Sequence, residues 1–197
     1  NQIAAKLYAS YGFSFLSGSN VMVRCFDESY FDYIERLYNE QSEIHIVDGT
    51  PDFRIPIIPL VNYIENQIVL DVNTGITSRT FFTQKSCMGL FPRYIVLKEN
   101  GGSYYGAVNK NNLLGAIMSV KPTEFGMRAD FFCCDSFAKA LPELIKKCED
   151  KYGAIYFQIA NADKKKAELI KESGFLPCEE ILHPFDRNCF IPMTIFR

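Results

Sequence analysis

Ala162-Asp163-Lys164-Lys165-Lys166-Ala167-Glu168-Leu169-Ile170-Lys171-Glu172-Ser173-Gly174-Phe175 reads as a short polar helix that stops at a glycine and hands over to an aromatic residue. Glycine suits the left-handed position just past a helix C-terminus, which other residues reach at a cost. Phe175 then opens a strand. The first residues repeat the pattern: Asn1-Gln2-Ile3-Ala4-Ala5-Lys6-Leu7-Tyr8-Ala9-Ser10-Tyr11-Gly12-Phe13. In each copy an apolar pair, Leu7-Tyr8 or Leu169-Ile170, precedes Gly-Phe by the same step. One copy is only a helix stop. Two copies predict a duplication: residues 1–23 as the last helix and hairpin of a preceding domain, and residues 24–197 as a second, related domain.

Composition sets the outer bounds. The 197 residues are 48% hydrophobic and 22% charged, the balance of an ordinary globular chain. A net charge of -2 gives no basic face for nucleic acid. No apolar run approaches the roughly 20 residues of a membrane helix. Residue 1 is not methionine and stands inside a helical pattern, so a piece of a longer protein is expected, with no signal peptide and a cytoplasmic location. The cysteines Cys25, Cys87, Cys133, Cys134, Cys148, Cys178 and Cys189 form no Cys-x-x-Cys, and neither His45 nor His183 lies near a cysteine pair. Buried reduced thiols are therefore expected, with no metal site and no disulfide frame.

Outward from the quoted stretch, periodicity predicts the remaining elements. A buried strand over 154–159 precedes the polar helix, and strands over 175–182 and 190–196 follow it. Upstream stands a helix over 137–152, with Leu141, Leu144, Ile145 and Cys148 on its inner face and Pro142 fixing its first turn. Strands are expected over 94–97, 103–108, 113–120 and 128–134, with a tight turn at Asn109-Lys110-Asn111-Asn112. Before them come helices over 26–41 and 60–66, a turn cluster at 48–52, and a strand over 67–72. Residues 73–91 carry no clear period. The order predicts an α+β fold with a mixed, mostly antiparallel sheet and helices on both faces.

With these elements in place the residues resemble the GNAT acyltransferase superfamily. Asn1, Ala4, Leu7, Tyr8, Gly12 and Phe13 match its Asn-x-x-Ala-x-x-Leu-Tyr-x-x-x-Gly-Phe signature. The hairpin from Tyr105-Gly106-Ala107-Val108 to Leu113-Leu114-Gly115-Ala116-Ile117-Met118 is similar to the family's central meander. The resemblance covers residues 24–197 and implies a GNAT-like mixed sheet. It also implies acyl-CoA-dependent transfer of an acetyl group to a small-molecule amine, with acetyl-CoA as cofactor. Partners would be the missing preceding domain and the amine, with a homodimer admitted and neither nucleic acid nor membrane expected.

The resemblance further assigns residues. The signature tyrosine protonates the leaving thiolate, and Tyr8 holds that place in the first copy. In the second copy the same place is Ile170, which has no proton to give. The cofactor's pyrophosphate would meet Phe132, Cys133, Cys134, Ser136, Phe137, Ala138 and Lys139, while N-H groups of strand 130–134 would polarise the thioester carbonyl. That segment lacks the glycines that let a backbone approach phosphate, and Asp135 places a negative charge there. Glu124, Asp130 and His45 are candidate bases for the amine. Lys164-Lys165-Lys166 is either a contact for the cofactor's adenosine phosphate or a solvated helix face. Cys133-Cys134 is either a nucleophile or a packed pair. The expected function is thus N-acyl transfer with this half degenerate. The alternative is a non-catalytic GNAT-fold domain that supports a catalytic first domain or binds a small metabolite.

Overall fold

The structure, a computed structural model, describes residues 2–10, 13–15, 22–23, 30–39, 42–64, 67–77, 90–110, 112–186 and 189–197. They fall into two compact units, Asn1–Glu40 and Gln41–Arg197.

The first unit holds helix α1 (Gln2–Ser10), a hairpin of β1 (Ser14–Phe15) and β2 (Met22–Val23), and helix α2 (Tyr30–Asn39). No residue of α1 is buried. Phe13 N donates to Tyr8 O, and the two rings pack with centroids 5.9 Å apart. Asn1 and Gly12 of the signature lie outside the described residues.

The second unit is built on seven strands in the order β10-β11-β9-β8-β7-β6-β3. These are β3 (Ile44–Asp48), β6 (Ser103–Asn109), β7 (Leu114–Thr123), β8 (Gly126–Cys133), β9 (Ile155–Ala160), β10 (Pro177–Asp186) and β11 (Cys189–Phe196). Every neighbouring pair is antiparallel except β8 and β9. Between β3 and β6 the chain forms a 3-10 turn (Pro51–Arg54), α3 (Ile57–Tyr63), a small hairpin of β4 (Val69–Asp71) and β5 (Ile76–Thr77), and α4 (Pro92–Glu99). A 3-10 turn (Asp135–Ala140) and α5 (Leu141–Tyr152) join β8 to β9, and α6 (Lys164–Glu172) follows β9. Gly174 ends α6 at φ +95°, the conformation its place after a helix demands.

Alternation along β7 and β8 assigns the two faces. Met118, opposite Phe131, touches Cys148 of α5. Ser119, opposite Asp130, is bonded from the β4 hairpin by Asn73, and Tyr94 of α4 packs at a tilt against Tyr104 of β6. So α5 covers one face, while α4 and the hairpin cover the other. Phe131, Phe157 and Phe175 form an edge-on aromatic row on the α5 face.

Residues 94–97, read above as a strand, belong to α4. Tyr-Ile-Val-Leu is rich in strand formers, but Pro92 sets a helical first turn. Tyr94 and Leu97, three apart, are buried, whereas Ile95 and Val96 are 46% and 54% exposed. Helix 60–66 is α3, shifted to Ile57–Tyr63 with Pro59 within its first turn. The 137–152 helix begins as a 3-10 turn and becomes α-helical only from Leu141, where Pro142 leaves no donor unpaired. Most of the 73–91 stretch lies outside the described residues.

Candidate functional site

Strands β8 and β9 pair over only three positions, Met127↔Ile155, Arg128↔Tyr156 and Ala129↔Phe157. Beyond these, among the described residues, β8 is in ladder register only with β7 and β9 only with β11, so the two strands diverge toward their C-terminal ends. A cleft of about 500 Å³ opens there, lined by Cys133, Cys134 and Asp135 on one side and by residues 162–166 on the other, with Tyr63, Ile64 and Gln67 across it.

A buried ion pair stands in the gap. Lys166 Nζ is 2.6 Å from Asp130 Oδ1, with the two side chains 2% and 0% exposed. The ammonium also donates to Val69 O (3.3 Å) and Leu70 O (2.9 Å), and lies 5.5 Å from the centre of the Phe131 ring. Asp130 and Phe131 point to opposite faces, so the lysine head lies between the strands. Asp130 Oδ1 accepts from Phe131 N (2.8 Å), and Oδ2 accepts from Val72 N (2.6 Å). Burial holds the Asp130 carboxyl above the usual carboxylate range, at about 6, while Lys166 pulls the other way.

Asp163, at the start of α6, binds the same segment. Its two oxygens accept from Ile68 N (3.0 Å) and Val69 N (3.3 Å). At the end of β4, Asp71 accepts from Asn73 N, Thr74 N, Ser119 Oγ and Tyr94 Oη. Burial first, and then the Asp71 charge, push the Tyr94 hydroxyl well above its ordinary value, so it stays a donor at neutral pH. Arg128 links Asn73 Oδ1 to Gln158 Oε1, and Gln158 Nε2 lies 3.0 Å from His183 Nδ1. Burial, with Arg128 adding to it, lowers the His183 pKa.

No protein-family model matches the sequence, and no curated protein matches it. Solved structures do. Ribosomal-protein-S5-alanine acetyltransferase from Vibrio fischeri superposes with a TM-score of 0.58 at 14% identity, over 80% of this chain and 93% of its own. A mutant of spermidine N-acetyltransferase from Vibrio cholerae gives 0.57 at 11% identity, over 78% and 91%. An acetyltransferase of the GNAT family from Streptococcus pneumoniae gives 0.54 at 11% identity, over 78% and 98%. The chain has the GNAT fold.

On this GNAT frame the sequence-named residues separate. Of the candidate bases, Asp130 stands in the gap, while His45 on β3 and Glu124 in the β7–β8 turn are exposed. Of the residues assigned to the pyrophosphate, Phe132 and Phe137 are core, Cys133 and Cys134 line the cleft, Ser136 and Ala138 are half-buried and Lys139 is exposed. Cys134 N already donates to Gly115 O, and Phe137 N to Cys134 O. Burial raises the Cys133 thiol to about 12 and the Cys134 thiol to about 11, values of packed thiols rather than nucleophiles. Cys148 is buried too, but Cys178 and Cys189 are exposed, contrary to expectation; Cys25 and Cys87 lie outside the described residues. Tyr8 is 51% exposed in the first unit, and Ile170 is wholly buried in the second. Among the described residues no cluster of three His, Cys, Asp or Glu is placed to hold a metal ion, and no helix is long and apolar enough to cross a membrane.

Lys164-Lys165-Lys166 is neither a phosphate contact as a unit nor a uniform solvated face. Lys165 pairs with Asp135 on the surface, whereas Lys166 points inward. Asp163, Asp71, Arg128 and Gln158 went unread in the sequence. The signature held a signal for the first of them: aligned on Gly-Phe, Asp163 falls at its asparagine and Lys166 at its alanine. Acetyl-CoA does not fit this gap. The Phe131 N-H available to polarise a carbonyl is taken by Asp130, and the space between the strands holds the Lys166 head, which donates to β4 carbonyls from there.

Proposed function

We propose that this chain is part of an acyl-CoA-dependent N-acyltransferase of the GNAT superfamily, which moves an acetyl group from acetyl-CoA to a small-molecule amine, and that the unit Gln41–Arg197 does not itself turn over. The observation that carries this reading is Ile170. It is fully buried where the signature places its acid, and a hydrocarbon cannot protonate a departing thiolate. The GNAT fold supports the superfamily. Fold neighbours named for spermidine and for a ribosomal-protein alanine support an amine acceptor, since both acceptors are amines. The raised thiols of Cys133 and Cys134 remove the remaining nucleophile from the cleft.

In this reading turnover belongs to a related preceding domain, the copy whose signature keeps Tyr8. The test is release of CoA thiol from acetyl-CoA in the presence of spermidine or a peptide with an N-terminal alanine. The 197-residue chain is expected to release thiol at the buffer rate. The longer gene product should turn over, and Tyr8→Phe should slow it by about 10²-fold, the scale of a lost general acid. Turnover by the 197-residue chain, abolished by a substitution within residues 41–197, would refute the assignment.

A further inference from the structure

The α6 N-terminus treats β4 as a receptor treats a bound peptide. Asp163 takes two consecutive N-H groups of that strand, and Lys166, one turn on, takes two consecutive carbonyls. An ammonium has three donors. Asp130, Val69 O and Leu70 O account for all three, so the Lys166 head has nothing left to offer a ligand. A buried charge persists only when it is paired and its remaining hydrogen-bonding capacity is met, and this one is. The equivalent place in the signature, Ala4 at the start of the chain, carries a methyl where Lys166 carries an ammonium.

We propose that Lys166 is the residue that excludes acyl-CoA from this unit: held by Asp130 and by β4 carbonyls, its head is the resident occupant of the gap between β8 and β9. The inference rests on the reading of this unit as the copy that does not turn over, and goes further by naming what shuts it. Exclusion is steric first, because a lysine head stands between the strands and two β4 carbonyls hold it there. Donor depletion reinforces it, because the Asp130 carboxylate already holds the N-H of Phe131.

The test is thermal stability with and without millimolar acetyl-CoA, on the whole chain. Wild type is expected to show no shift. Lys166→Ala combined with Asp130→Asn opens the gap without stranding a buried carboxylate, and acetyl-CoA should then raise its Tm by roughly 5 °C or more, the stabilisation that a ligand near a hundred times its Kd confers on a domain of this size. Lys166→Met with Asp130→Asn refills the space without charge and should again show no shift. A wild-type shift of that size overturns the proposal and needs no variant to fold. A cooperatively melting Ala–Asn variant that ignores acetyl-CoA overturns it too, as does a shift in the Met–Asn variant. Binding by wild type without turnover sinks this inference alone, whereas turnover sinks the proposed function.

Discussion

At the scale of the residue, the Asp130–Lys166 pair is expected to be costly to halve and cheap to replace. Lys166→Ala alone leaves a buried carboxylate without its counter-charge and should cost about 3–5 kcal/mol in urea unfolding. Lys166→Met with Asp130→Asn keeps the volume and removes both charges, and should lie within about 1–2 kcal/mol of wild type. The pair also has a pH signature. An unfolded aspartate titrates near 3.9, while Asp130 in the folded chain titrates at about 6. Between roughly pH 4 and pH 6 the folded chain therefore holds a proton that the unfolded chain has released. This group's contribution to stability is fully present below pH 4 and is lost as pH rises through 6. The difference in unfolding free energy between wild type and the Met–Asn double variant should move against wild type across that window. A flat difference would show that Asp130 titrates as an ordinary carboxyl.

At the scale of the element, the β4–β5 hairpin depends on Asp71, whose two oxygens gather four buried donors. Asp71→Ala orphans all of them and should cost about 3 kcal/mol or more, whereas Tyr94→Phe removes one hydrogen bond and should cost about 1 kcal/mol. Denaturant midpoints of the two variants give the comparison, and equal losses would mean that Asp71 does not organise the turn. The same hairpin marks the limit of what local sequence conveys. The elements from β6 onward were legible because amphipathic period, Pro142, Gly174 and the short Asn-rich turn all act within a few residues of themselves. Residues 94–97 were misread because β-branched composition speaks for strand, while tertiary burial of Tyr94 and Leu97 at a spacing of three makes helix. Of the candidate site, Ile170 was legible from its place in the signature, and Asp130 only as one of three candidate bases. The partners of Asp130 were not. Val72 lies 58 positions away, and Lys166 sat inside a run of lysines whose neighbours face water. Nothing in such a run marks the member that will turn inward; only the fold does.

At the scale of the whole molecule, the second unit is a sheet with a weak line through it. On one side stand β3, β6, β7 and β8, and on the other β9, β11 and β10. Three parallel pairs join the two sides at one end. At the other end the join is made by side chains: Asp130 to Lys166, Asp130 to Val72 N, and Asp163 to the β4 backbone. Backbone pairing makes most sheets unfold as one, but here a seam is stitched by a carboxylate, an ammonium and a borrowed strand. Native-state hydrogen exchange would read that stitching directly. In wild type the deepest amides of β7 and β9 should open with one free energy. With Lys166→Ala the β9–β11–β10 side should open at a lower free energy than the β7–β8 side, and the one cooperative block should become two. A charge pair that closes a binding gap would then also be the fastening that lets two halves of a sheet unfold together.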